Sequence, residues 1–106
     1  MPLFMDIHHK VDGLTAEAVA GAHRRDLEVG PQYGVDYRQY WFDEGSGKVF
    51  CLVEAPDAET AARVHREAHG LVADELTPVQ EGSRRFVENA LSRGGTTADS
   101  EAPWRS

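Results

Sequence analysis

A chain of 106 residues has room for one domain, and its single cysteine, Cys51, excludes an intramolecular disulfide framework and favours the cytoplasm. The formal net charge of −7, all of it carried by residues 1–80, repels nucleic-acid phosphates and attracts cations. No apolar run approaches a membrane span, and no cationic segment followed by an apolar one marks a secretory signal.

Residues 2–10 (PLFMDIHHK) alternate as a strand. Leu3, Met5 and Ile7 share one face; Phe4, Asp6 and His8 share the other. The sequence VDG turns the chain, and Thr15 is a good N-cap for a helix over residues 16–29 that Gly30-Pro31 ends. A second strand covers residues 36–43, with Tyr37, Gln39 and Trp41 on one face and Arg38, Tyr40 and Phe42 on the other. The sequence EGSG makes a hairpin turn. Residues 48–55 (KVFCLVEA) are apolar on both faces, as a central strand requires. Asp57 caps a second helix that ends near Gly70. Residues 72–79 make a fourth strand, and Pro78 puts it at an edge or ends it early.

The order βαββαβ predicts an α+β fold: a ferredoxin-like sandwich with an antiparallel sheet and both helices on one face. Residues 1–82 form that domain. Residues 83–106 form an extension, with a short helix over 83–93 and then a Gly/Thr/Ser-rich disordered tail holding Trp104.

Chemistry concentrates on the segment VHREAHG. His65 and His69 stand four residues apart, a spacing that brings two imidazoles to one helix face and onto one metal ion. At about 100° per residue, both fall in the stripe of Ala58, Ala61, Ala62 and Ala68, with Arg63, Arg66, Glu59 and Glu67 opposite. They therefore point toward the sheet. The Glu that follows the first His in zincins is absent; Arg66 stands there. In the first helix the inner stripe of Ala18, Val19, Ala22 and Val29 includes Asp26, with His23 at its edge. A core-facing acid must be paired or reach water, and an imidazole of the other helix would supply the pair. Each helix carries a histidine eight residues after its cap, Thr15 to His23 and Asp57 to His65.

His8 and Cys51 lie on central strands that neighbour each other in this fold. The candidate metal-ligand set is therefore His8, His23, Asp26, Cys51, His65 and His69. Imidazole and carboxylate suit Ni²⁺, Zn²⁺, Cu²⁺ or iron, and no closed four-ligand spacing marks a structural zinc. Other readings stand beside this one. The histidines can be ordinary half-buried residues, Cys51 a small buried hydrophobe, and Asp26 a partner of Arg25. The same His/Asp set can also serve general acid–base catalysis on a small or aromatic molecule in a dimeric α+β barrel enzyme. A deep apolar pocket lined by His65, Asp26 and Cys51 would favour that reading. No nucleophile elbow, phosphate loop or cofactor fingerprint is present, which weighs against an enzyme. The amphipathic stretch beyond residue 82 and Trp104 would suit an interaction module.

The segments PLFMDIHH, AHRRDL, YGVDYRQYWFDEGSGKVFCLVEAPDAETA and VHREAHGLVADEL resemble the small actinobacterial nickel-binding proteins, long known only as a domain of unknown function. The resemblance spans residues 1–82. It implies a homodimeric ferredoxin-like fold, nickel bound at the dimer surface, and a role in nickel sequestration or detoxification. The matching segments hold all six candidate ligands, whereas His9 falls at a freer position. Inward histidines and a surface metal are compatible if the ligands open into a cleft between helix and sheet, or if the metal sites use other, exposed histidines.

Overall fold

Two β-α-β halves interleave in one sheet, and the computed structural model describes residues 1–84 and Val87 of them. The elements in chain order are β1 (Leu3–His8), α1 (Ala16–Val29), a 3-10 turn (Gly30–Tyr33), β2 (Asp36–Asp43), β3 (Lys48–Glu54), α2 (Ala58–Ala68) and β4 (Glu75–Val79). The sheet order is β2-β3-β1-β4 with every pairing antiparallel, which is the expected ferredoxin-like fold. Pro78 lies on the edge strand β4, where a missing N–H costs least. β4 starts at Glu75 rather than 72. The expected helix over 83–93 and the tail with Trp104 lie, apart from Ser83, Arg84 and Val87, outside the described residues.

Both helices start where side-chain caps put them. Thr15 Oγ1 accepts from the Ala18 N–H at 3.1 Å, and Asp57 Oδ1 accepts from the Thr60 N–H at 2.7 Å. α2 ends at His69, and Gly70 takes φ +82° while its N–H donates to the His65 carbonyl at 2.9 Å. Gly30 allows the tight turn after α1. Its carbonyl accepts from the Val35 N–H at 3.1 Å, and an added Cβ would collide with the Val35 carbonyl oxygen. At the hairpin, Gly47 has φ +78°, and its carbonyl accepts from the Val11 N–H at 2.8 Å. That bond fixes the β1–α1 loop against the hairpin.

The register sets three rows of side chains under the helices. Phe4, Val53 and Tyr37 form one row; Asp6, Cys51 and Tyr40 the next; His8, Val49 and Phe42 the third. This corrects the simple alternation expected for β2. A bulge between Tyr37 and Gln39 lets Arg38 drop out of the ladder, so Tyr40 and Phe42 join Tyr37 on the covered face. Trp41 moves to the opposite face, opposite Phe50 and, one strand further, Ile7. On the covered face Val53, Ala55, Ala61 and Val64 are fully buried. In α1, Val19 and Asp26 are buried as the wheel places them, but Ala18 is exposed: the stripe turns away from the sheet at the helix's first turn.

Candidate metal centre

The covered face of the sheet is apolar until the second row, where Asp6 on β1 is completely buried beside Cys51 on β3. His8, two residues on along the same face, is also buried, and its Nε2 stands 3.5 Å from Asp6 Oδ1. From above, α2 lowers His65 onto this row. Its Nε2 lies 2.9 Å from Asp6 Oδ2, and its Nδ1 lies 2.8 Å from Asp26 Oδ1 on α1. One imidazole thus spans two carboxylates from two elements. His69, one turn on, reaches Asp26 Oδ1 at 3.1 Å. Arg25 is not the partner of Asp26 here; the two histidines are.

Tyr37 fixes the plane of His65. The two rings stack at 4.2 Å with 20° between planes, and the Tyr37 hydroxyl donates to the Ala61 carbonyl of α2 at 2.9 Å. Ring rotation would break the stack and both carboxylate contacts together.

The electrostatics follow from this geometry. Burial disfavours the imidazolium of His65, but Asp26 and Asp6 outweigh it and hold the group at a pKa of about 9. Burial likewise opposes the Asp6 carboxylate, yet His65 and His8 bring it down to about 2. Asp26 is lowered against its own burial by His65 and His69. The Cys51 thiol is pushed up by burial and by the nearby Asp6 carboxylate, so it stays protonated unless a cation draws the proton off. His23 is lowered by burial, with Asp26 opposing.

Among the described residues two groups of donors arise. Asp6, His8, Cys51 and His65 each offer one ligand atom within 4.8 Å of the others, all from buried residues; Asp26, His65 and His69 form a second set that shares His65. Five of the six predicted ligands therefore come together. His23 does not belong to either group: its ring packs on Tyr40 at 4.7 Å, and its Nδ1 is buried without a hydrogen bond. Asp6 was absent from the predicted set, although its place on the Phe4–Asp6–His8 face of a central strand was the signal. His9 is exposed and pairs with Glu75.

A cavity of about 180 Å³ opens beside these donors, between α1, the β1–α1 loop and the sheet. His65, Asp26 and Cys51 line it, and most of its remaining wall is apolar. It is a cleft between helix and sheet of the kind inward metal ligands require, and its apolar wall with His65, Asp26 and Cys51 is equally the feature that favours the acid–base enzyme reading.

Residues 4–79 match the family described as "Nickel responsive protein SCO4226-like". The chain belongs to the SCO4226-like family of nickel responsive proteins. A crystal structure of SCO4226 from Streptomyces coelicolor A3(2) superposes with a TM-score of 0.71 at 40% identity, covering 76% of this chain and 99% of that one. No curated protein matches. The SCO4226-like family is the one to which the quoted segments pointed.

The donor set could hold a divalent ion. Both Asp6 oxygens and His65 Nε2 are buried without an aligned hydrogen bond, although Nε2 and Oδ2 are only 2.9 Å apart. The pair is an ion contact whose angle is poor for a hydrogen bond. Donors about 3 Å apart are what two ligands on one ion require at bond lengths near 2.1 Å. Imidazole, carboxylate and thiolate together suit nickel, copper or zinc.

Proposed function

We propose that this protein binds Ni²⁺ through Asp6, His8, Cys51 and His65, and that Asp26 and His69 support that set from behind. The observation that carries the reading is the buried cluster in which both Asp6 oxygens and His65 Nε2 lack aligned partners while His8 and Cys51 stand within donor range. Asp26 accepts from His65 Nδ1, leaving Nε2 for an ion; this carboxylate–histidine pairing orients and strengthens imidazole ligands. His23 also lines the cleft, and burial lowers the basicity of its imidazole. Bound nickel would supply a divalent charge that offsets the two buried carboxylates and lowers the Cys51 thiol.

The physiological role in this reading is nickel sequestration or detoxification in the cytoplasm, carried by residues 1–82, with residues 83–106 as an extension. The family's description and the acidic charge support it. Zn²⁺ and Cu²⁺ would compete for the same donors, since affinity follows the metal series rather than the protein's need. The protein acts as a homodimer in this reading. The sheet face away from the helices carries Met5, Ile7, Phe50, Leu52 and Trp41, with Trp41 45% exposed, and a second copy would cover that apolar face.

Calorimetry with Ni²⁺ on untagged protein tests the site. Asp6→Asn and His65→Ala should each remove the tight binding event, whereas His9→Gln should leave it. Tight binding that survives in both cluster variants and disappears with His9→Gln would assign the metal to exposed imidazoles instead.

A further inference from the structure

The sheet face away from the helices is the broadest open surface of the domain, and the register sets three rows of side chains on it. Val79, Leu3, Glu54 and Asp36 form the first row; Thr77, Met5, Leu52 and Gln39 the second; Glu75, Ile7, Phe50 and Trp41 the third. The middle of the face is apolar and acids stand toward its corners. None of these residues is basic. Trp41 keeps 45% exposure there.

The chain leaves the sheet at one corner of this face. β4 ends at Val79, and the Val87 N–H donates to the Ser83 carbonyl at 3.1 Å, the i to i−4 bond of a helical turn. The sequence SRRFVENALSR puts Phe86, Val87, Ala90 and Leu91 on one side of a helix over residues 83–93. Val87 is 57% exposed, so that side is uncovered at its start. Arg84, Arg85 and Arg93 against Glu88 give the segment a charge of +2. Such a helix is about 16 Å long, and the three strand spacings from β4 to β2 add to about 14 Å. Residues 80–82 in front of it span up to about 10 Å. The segment lies beyond the family match, which ends at residue 79, and 76% of this chain already accounts for 99% of the Streptomyces coelicolor one.

We infer that residues 83–93 close over the open face of their own sheet as a latch, with Phe86 and Val87 toward Leu3 and Met5, Ala90 and Leu91 toward Leu52 and Phe50, and arginines beside Glu54 and Asp36. Closure needs only rotation about residues 80–82, where Gly82 stands in open space. Charge favours this occupant over a second copy. A copy joined about a two-fold axis brings the same acids toward Glu54, Asp36 and Glu75, whereas the segment brings arginines. The tether also holds the segment at an effective concentration in the millimolar range, however dilute the protein. A second copy therefore covers the face only when the latch has lifted, and the extension sets the concentration at which the proposed homodimer forms.

The test is cysteine cross-linking in the full chain at low concentration. Gln39→Cys with Ser92→Cys puts one thiol on β2 and one at the end of the docked segment. Cys51 is buried, and the unsubstituted chain treated alike controls for it. A short bis-maleimide should join the pair within one chain. Arg24→Cys with Ser92→Cys should not be joined, because Arg24 is exposed on α1 across the sheet. Adding Phe86→Asp and Leu91→Asp to the first pair should cut the cross-link at least about tenfold, since docking would then bury two charges against apolar side chains. Those two substitutions alone should lower the dimer dissociation constant at least about tenfold in sedimentation equilibrium, because the tethered competitor is gone. The inference is overturned by a Gln39–Ser92 pair that stays unlinked or links only between chains, by an Arg24 pair that links as readily, or by a link that survives Phe86→Asp and Leu91→Asp. A dimer that those substitutions weaken or leave unchanged would overturn it too. Absence of any dimer beside an intact intrachain link would count against the homodimer reading and leave the latch standing.

Discussion

The ring of Tyr37 lies 4.2 Å from that of His65 and nearly parallel to it, while its hydroxyl ties to the backbone of the helix that carries His65. Sheet and helix thereby hold the same imidazole from two directions. Tyr37→Phe keeps the stack but removes the hydroxyl, leaving the Ala61 carbonyl with its helical bond alone. A loss of about 1–2 kcal/mol is expected, read as a fall in urea midpoint. Tyr37→Leu removes the stack as well and should cost more, about 2–4 kcal/mol. Equal losses in the two variants would show that the stack contributes nothing.

Stability should depend on pH through His65. Its folded pKa, about 9, lies above the model-compound value of 6.5, so the folded state holds this proton more tightly than the unfolded chain. The contribution is fully present below pH 6.5 and is lost as pH rises through 9. It amounts to a few kcal/mol. The lowered Asp6 describes the same attraction from its partner and is not added to it. Its contribution is present above 3.8 and fades as pH falls through about 2. Denaturation at a series of pH values checks this, and a profile flat between 6.5 and 9 would contradict it.

At the proposed site Ni²⁺ would displace the His65 proton and the Cys51 proton, so binding there should release protons and tighten as pH rises toward 9. Calorimetry in two buffers of different ionisation enthalpy measures the count. Asp26→Asn keeps an acceptor for His65 Nδ1 but withdraws charge, and should weaken Ni²⁺ about 10–100-fold without changing stoichiometry. Unaltered affinity would remove Asp26 from any supporting role.

Gly30→Ala should destabilise by about 1–3 kcal/mol, because the new methyl meets the Val35 backbone oxygen rather than a movable side chain. Gly21→Ala is the control: nothing lies within 4 Å of the added carbon, and a helical alanine is favoured there by about 1 kcal/mol. Thermal melts of the pair should shift in opposite directions.

Much of this arrangement can be read from residue order. The wheel that puts His65 and His69 in an alanine stripe is simple periodicity, and α2 buries Ala61, Val64, His65 and Ala68 accordingly. Asp26 could be singled out as an inward acid that needs a partner. Asp6 was harder to place in the site. It occupies the buried face of its strand, but a strand acid is usually solvated, and only the packing of α2 over that row shows that His65 completes it. The face change in β2 had no sequence signal, since the bulge depends on how β2 registers against β3. Ala18 shows the same limit: helix period gives a direction, but not how far the sheet extends beneath it.

His65 touches β1 through Asp6 and α1 through Asp26 while belonging to α2. Dismantling the site and unfolding the domain are therefore one event, and anything that binds only the assembled cluster must raise the melting temperature by mass action. A melting curve becomes a ligand screen for this protein, able to rank metals before any of their contacts is known.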